Sequence, residues 1–363
     1  MSLSRPDSEP QILNPGPAFY CDICAVESPS LSSMPGSQEP LPQHVHQMIA
    51  RVTDELKNAT YRVDLTAQGS ILHTDANTVK AVIDCLESRH DLTHEKLKLP
   101  PGTANPKSRS SAINPRLPSG GYKDENDSYE PLVHLLNKVI DAADQCTSLA
   151  ASYLRGLRFH HFGREVEERY GSSKGIKPDG VGIIGTLPTG TKVLSWENIK
   201  VIVESKRTVT QIVQQSGMYM CSCLLNDQKR FFALGIGLHF TTLDAYVFVF
   251  HRSGLSSSRP LKLTTEEGFK GLVRHIVGIL SFQGEADCGL DTTRSQDMFC
   301  INNRYYEIVR PLYMRGSPWG RSTVVYSLNG MCPCGFRVQS VSYISHVQQA
   351  PMNLLPSTCN LGC

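Results

Sequence analysis

Lys177-Pro178-Asp179-Gly180-Val181-Gly182-Ile183-Ile184-Gly185, followed after a short interval by Ile199-Lys200-Val201-Ile202-Val203-Glu204-Ser205-Lys206, is the stretch whose reading decides the fold. Two short apolar runs, Asp179 to Gly185 and Asn198 to Glu204, read as strands, and Leu187 to Gly190 between them carries the Pro and Gly of a turn. Successive strand side chains alternate in direction, so Glu204 and Lys206 point to one face. An acid at the start of one strand and an acid with a lysine at the end of its neighbour supply hard oxygen ligands of the kind Mg2+ takes. They also supply a cation able to polarise a phosphate or orient a water. Asp179, Glu204 and Lys206 are therefore candidate catalytic residues, the two acids as metal ligands. Glu-x-Lys also ends many ordinary edge strands, so the neighbouring sequence has to carry part of the argument.

Downstream, Thr208 to Leu225 reads as a helix in which Gln215 and Tyr219, four apart, share a face. They join the candidate catalytic set on the substrate side, against the plainer reading of a surface glutamine beside an interface tyrosine. Phe231 to His239 and Leu243 to Phe250 are β-rich runs joined by a hairpin turn at Phe240-Thr241-Thr242, and Glu266 to Ser281 is an amphipathic helix. Upstream, Ser128 reads as the cap of a helix with Leu132, Leu135, Leu136, Val139, Ile140 and Ala143 at helical spacing. Glu130 in its first turn is a further candidate metal ligand, although pairing with the helix dipole explains it about as well. The order helix, strand, strand, helix, strand, strand, helix predicts an α/β (α+β) fold, a mixed sheet flanked by helices over residues 128–295.

Outside that unit the composition changes. Residues 1–40 are rich in Pro, Ser and Gly without periodicity and are expected to be disordered. Residues 41–98 hold two amphipathic helices, with Val45, Met48, Ile49, Val52 and Leu56 on one stripe and Val79, Val82, Ile83 and Leu86 on the other. These helices dock either on the main unit or on a partner. Residues 99–127 return to Pro, Gly, Ser and charge, and Lys107, Arg109 and Arg116 suit a solvated tether better than a nucleic-acid arm.

The 363 residues carry a formal charge of +2, which gives no general attraction to polyanions, so nucleic-acid binding needs a local patch. Twelve scattered cysteines read as reduced thiols of an intracellular protein. Cys21-x-x-Cys24 and Cys332-x-Cys334 lack a second pair or a histidine at zinc-finger spacing. The chain has no apolar run of the roughly 18 residues that a spanning helix needs, and Met1 to Pro17 has no apolar signal core. No membrane partner is expected.

Pro-Asp followed some two dozen residues later by Glu-x-Lys resembles the PD-(D/E)XK superfamily of restriction-endonuclease-like nucleases, and Gln215-x-x-x-Tyr219 resembles the extra motif of its exonuclease-type members. Over about 128–330 the chain also resembles the fungal-type protein kinase family in the region preceding its catalytic core. The matching residues are Lys177-Pro178-Asp179, Trp196-Glu197-Asn198-Ile199, Val203-Glu204-Ser205-Lys206, Gln215-Ser216-Gly217-Met218-Tyr219, Gln228-Lys229-Arg230-Phe231, His251-Arg252-Ser253-Gly254 and Gly289-Leu290-Asp291. His251 stands where the family pattern has an aspartate.

That resemblance implies that 296–330 opens a kinase N-lobe, with a hairpin over Tyr305 to Leu328 and a degenerate glycine loop in which Gly316 and Gly320 are the candidate cofactor-binding residues. Phosphoryl transfer further needs a strand lysine and two aspartates, yet after Gly320 the sequence contains no Lys, Asp or Glu. The expectation is a family member truncated before its kinase core, with an irregular tail at 331–363, no kinase activity and no tight ATP binding. Two functional readings stay open. In the first, the retained domain is a regulatory or interaction module whose partner is a protein or the absent kinase lobe. In the second, it is a Mg2+-dependent nuclease acting on nucleic-acid phosphodiesters.

Overall fold

A computed structural model describes residues 45–88, 121–167, 176–188 and 193–292, apart from single positions 58, 228 and 253, together with the backbone of strands between 294 and 345. The stretch predicted to be disordered at 1–40 lies outside the described residues, as do most of the 99–127 tether, Gly316 and Gly320, and the Cys21–Cys24 and Cys332–Cys334 pairs.

Eight strands form one mixed sheet. In chain order they are β1 (Thr60–Arg62), β2 (Leu157–His161), β3 (Gly180–Ile184), β4 (Ile199–Lys206), β5 (Phe232–His239), β6 (Asp244–His251), β7 (Gly254–Ser257) and β8 (Leu261–Lys262). Their spatial order is β1-β7-β6-β5-β4-β3-β2, with β8 on β6. Only β1–β7 and β4–β5 are parallel. The parallel β4–β5 pair needs a crossover, which helix α4 (Val209–Asn226) provides.

The central strands are buried on both faces because helices cover both. On one side α2 (Ala76–Ser88), α3 (Asn126–Ala143) and α5 (Glu266–Leu280) bury Leu86, Leu136, Ile140, Leu272 and Ile276 against Val201, Val203, Ile236 and Val247. On the other, α1 (Val45–Leu56) and α4 lay Val52, Ile212, Met220 and Leu224 over Val181, Ile202, Phe248 and Phe250. Each such side chain contributes about 1.5–3 kcal/mol by leaving water. The α1–α4 contact depends on Gly217, where a Cβ would come within 2.6 Å of Val52 Cγ1. Residues 45–88 thus pack into the same two cores as the rest, and β1 adds an outer strand.

Helix starts show how local chemistry sets the boundaries. Thr208 caps α4 by accepting from the Gln211 N–H at 3.2 Å, and Thr265 caps α5 by accepting from the Gly268 N–H at 3.1 Å. Helix α3 differs. It begins at Asn126, two residues before the predicted cap Ser128, and its N-cap Glu125 makes no side-chain capping bond. Ser128 is instead buried inside the first turn, with its Oγ 2.6 Å from Ser205 Oγ on β4.

A second, five-stranded antiparallel sheet follows, ordered β13-β12-β11-β10-β9. Its strands are β9 (Arg294–Ser295), β10 (Met298–Ile301), β11 (Arg304–Met314), β12 (Val324–Met331) and β13 (Arg337–Ser345). Strands β11 and β12 form the hairpin read from Tyr305 to Leu328. The expectation of an irregular tail from 331 is corrected by β13, which pairs along β12 from Arg337 to Ser345. A register shift between Leu328 and Asn329 skips Ser340, and an inserted residue destroys the period of two by which a strand is recognised in sequence. Among the described residues no helix is long and apolar enough to cross a membrane.

Candidate metal centre

Gly180, the first residue of β3, pairs with Val203 on β4, which sets Asp179 beside Glu204. A Cβ on Gly180 would lie 2.8 Å from Val203 Cβ, so the close approach of the strands at this end needs glycine. The loop carrying Asp179 is fixed from two sides. Phe162 N–H donates to the Asp179 carbonyl at 2.8 Å, and Tyr219 Oη donates to the Lys177 carbonyl at 2.9 Å. Trp196, fully buried, lies against the Tyr219 ring with centroids 6.5 Å apart. Tyr219 therefore positions the motif loop from behind. Gln215 is half-buried one turn earlier on α4, and among the described residues no hydrogen bond links it to the acids.

Three acids converge. One carboxylate oxygen each from Glu125, Asp179 and Glu204 lie within 4.8 Å of one another. Lys206 Nζ is 2.7 Å from Glu204 Oε1 and 3.4 Å from Asp179 Oδ2, and it also donates to Glu125 Oε1. Tyr129 Oη reaches the same group from α3, 2.8 Å from Asp179 Oδ2 and 2.9 Å from Glu204 Oε1. It accepts from the Ser205 N–H at 3.2 Å.

Glu204 is fully buried, and burial, with the Asp179 charge adding to it, pushes its carboxyl up to about 7 although Lys206 and Tyr129 oppose the rise. Burial works against the charge on Lys206, but Glu204, Glu125 and Asp179 outweigh it and hold the ammonium above its ordinary range. Burial first, and the Glu204 and Asp179 charges after it, keep Tyr129 protonated far above the usual phenol range.

The donor set fits a divalent cation. All three acids offer hard oxygen, and Glu204 Oε2 is buried with no hydrogen-bond partner. A buried carboxylate oxygen left bare costs desolvation energy that a cation would return. Such a cation would be held by Asp179, Glu204 and Glu125.

Of the residues singled out in the sequence, Asp179, Glu204 and Lys206 meet here, and Tyr219 supports their loop. Glu130 does not meet them. It sits on the exposed face of α3, and the acid that this helix brings is Glu125. Starting the helix at Ser128 left Glu125 in the tether. Its signal was nonetheless present, because 125, 129, 132, 136 and 139 continue one helical stripe that 130 falls off. Tyr129 lies on the same stripe, but a tyrosine there reads as core, and its hydroxyl chemistry is visible only in three dimensions.

Compared with known proteins, residues 186–330 match the family model described as fungal protein kinase. No curated protein and no solved structure matches the chain. The match takes in β4 with Glu204 and Lys206, α4, and the strands through most of β12, and it begins after Asp179 and Glu125. Over these residues, two fifths of the chain, the protein is similar to the fungal protein kinase family.

Proposed function

We propose that the mixed-sheet domain is a PD-(D/E)XK-type, Mg2+-dependent phosphodiester hydrolase carried by a fungal protein kinase family chain. The observation that carries this reading is the meeting of Glu125, Asp179 and Glu204 around Lys206 at one strand end. A divalent cation bound there would act as a Lewis acid toward a phosphoryl oxygen. The protein's own groups do the rest. Lys206 stays protonated, so it serves as a charge that orients and stabilises phosphate oxygens, not as a base. Asp179 is held by its loop and Glu204 by its strand, so the acids are set before substrate arrives. The substrate class is nucleic-acid phosphodiester and the setting intracellular.

A second reading, a regulatory or interaction module that contacts a protein partner or a kinase lobe, is favoured by one observation. Lys206 already pairs with all three acids, and an ion-paired cluster of this kind also occurs as a purely structural element. Neither reading places phosphoryl-transfer chemistry on residues 316–363. The glycine pair at Gly316 and Gly320 is short of the usual three, and no Lys or Asp follows it to pair with phosphate or metal.

The test is cleavage of single- and double-stranded DNA and RNA by the full chain with millimolar Mg2+ or Mn2+, beside melting curves. Wild type should cleave and should gain about 2.7 kcal/mol at metal a hundredfold above its dissociation constant. Asp179→Asn should lose both responses, with the metal-free protein changed by less than about 1 kcal/mol because Asp179 is partly exposed. A wild type that shows neither cleavage nor metal stabilisation returns the domain to the interaction reading. ATP-dependent phosphorylation by the purified chain, abolished by a substitution within it, would overturn the non-kinase part.

A further inference from the structure

Tyr129 is 1% exposed, and its hydroxyl stands between the two strand carboxylates, within hydrogen-bond distance of Asp179 Oδ2 and Glu204 Oε1. A phenol has one proton to donate and oxygen lone pairs to accept with. The accepting side takes the Ser205 N–H, the backbone of the residue next to Glu204. The hydroxyl is therefore aimed by the strand that carries one acid, and its single proton is shared between the two acids, each an acceptor within reach. Its ring is held flat against His161, the end of β2, with centroids 5.4 Å apart and planes 5° from parallel. Helix α3 fixes the other end of the side chain, and the neighbouring Ser128 ties that turn to Ser205.

Glu204 shows what this arrangement does. Tyr129 and Lys206 both engage Oε1, while Oε2 is buried and bare. A carboxylate gripped by one oxygen has its χ angles fixed, and the other oxygen then points in one direction only. That free oxygen is the one left for a cation. Outer partners that orient ligating carboxylates and histidines commonly change metal affinity by ten- to a hundredfold when removed.

We propose that Tyr129 is a positioning residue for the metal centre, the group that locks Asp179 and Glu204 in ligating orientation. The proposal rests on the metal-dependent reading of the site given above. It predicts that removing one oxygen atom, without disturbing the packed ring, weakens divalent-metal binding.

The experiment is titration of the full chain with Mn2+, followed by calorimetry and by the paramagnetic signal of free Mn2+, for wild type and Tyr129→Phe. The expected result is a ten- to hundredfold weaker Mn2+ affinity for Tyr129→Phe. A residue that served packing alone would lower the melting temperature of the metal-free protein and leave Mn2+ affinity unchanged, so unchanged affinity overturns the proposal. His161→Ala is the second variant. His161 is exposed, so the fold tolerates its loss, and releasing the ring should weaken Mn2+ binding several-fold. If Tyr129→Phe does not fold, unchanged affinity in His161→Ala overturns the proposal in its place. Wild type that fails to bind Mn2+ at all overturns the metal reading, an outcome distinct from wild type and Tyr129→Phe binding equally well.

Discussion

Strand β4 has a cation at each end, and the two are handled in opposite ways. At its start Arg230 is 4% exposed, yet its guanidinium donates to the carbonyls of Ile199 and Glu197 and to the side chain of Asp227. Lys200 beside it donates to the Glu197 carbonyl, and burial, with the Arg230 charge second, holds its ammonium below the ordinary lysine range. Backbone carbonyls are fixed acceptors that do nothing else, so this end reads as structure. At the other end Lys206 faces three carboxylates, and one of their oxygens is bare. This cluster sets three acids against one lysine and leaves a buried carboxylate oxygen without a partner. Buried charge alone therefore does not mark a site. What separates the two ends is whether the partners are exhausted.

The largest effect expected from breaking this comparison is at the satisfied end. Arg230→Ala should cost about 3–5 kcal/mol in urea or thermal unfolding, because it leaves Asp227 and two carbonyls with fewer partners in the interior. Mn2+ affinity of the folded fraction should not change. A loss below about 1 kcal/mol would mean that this end is not the structural clasp described.

Next in size is the pH response of the unsatisfied end without metal. The folded Glu204 carboxyl, at about 7, lies above its unfolded value near 4.5, so the folded state holds the extra proton between these values. Its contribution to stability is then largest below pH 4.5, falls as pH rises to about 7 and is flat beyond. The raised Lys206 contributes in the other sense, but its stabilisation is lost only above pH 10.5, outside this window. Buried His251 and His275, both lowered by burial, add stability as pH rises through about 6.5 and must be subtracted. Comparing wild type with Glu204→Gln does so, and the stability of wild type relative to the variant should fall by roughly 2–3 kcal/mol between pH 4.5 and 7.5. A difference independent of pH would show that Glu204 is ionised throughout.

The smallest effect sharpens the choice between two acids five residues apart on one helix. Glu130→Ala should change stability by no more than about 0.5 kcal/mol and leave Mn2+ affinity as in wild type, since the side chain is exposed. Glu125→Ala should weaken Mn2+ binding. If the two behave alike in titration, Glu125 is not a ligand.

Much of the frame was legible in the residues. The strands carrying the acids, the crossover helix with its Thr208 cap, the β5–β6 hairpin and α5 fall within one or two residues of where periodicity and caps put them. Strand β2 was missed because Leu157-Arg158-Phe159-His160-His161 alternates for only five residues, and its polar members are no different from a loop's. Helix α3 was begun late because its N-cap, Glu125, sends its side chain to Lys206 in place of the backbone. A capping rule fails where the capping residue is recruited elsewhere.

By itself the sequence determined the elements with strong periods, the fungal kinase likeness and the spacing of Asp179, Glu204 and Lys206, because these depend on bonds and contacts within a few residues. The helical stripe favours Glu125 over Glu130, but only the tertiary structure decided that Glu125 reaches the other acids, that the Tyr129 hydroxyl lies between Asp179 and Glu204 and that one oxygen of Glu204 is left bare. Those facts depend on where α3 lies against the ends of β3 and β4. Burial and the exhaustion of hydrogen-bond partners are properties of the packed whole, and no local pattern encodes them.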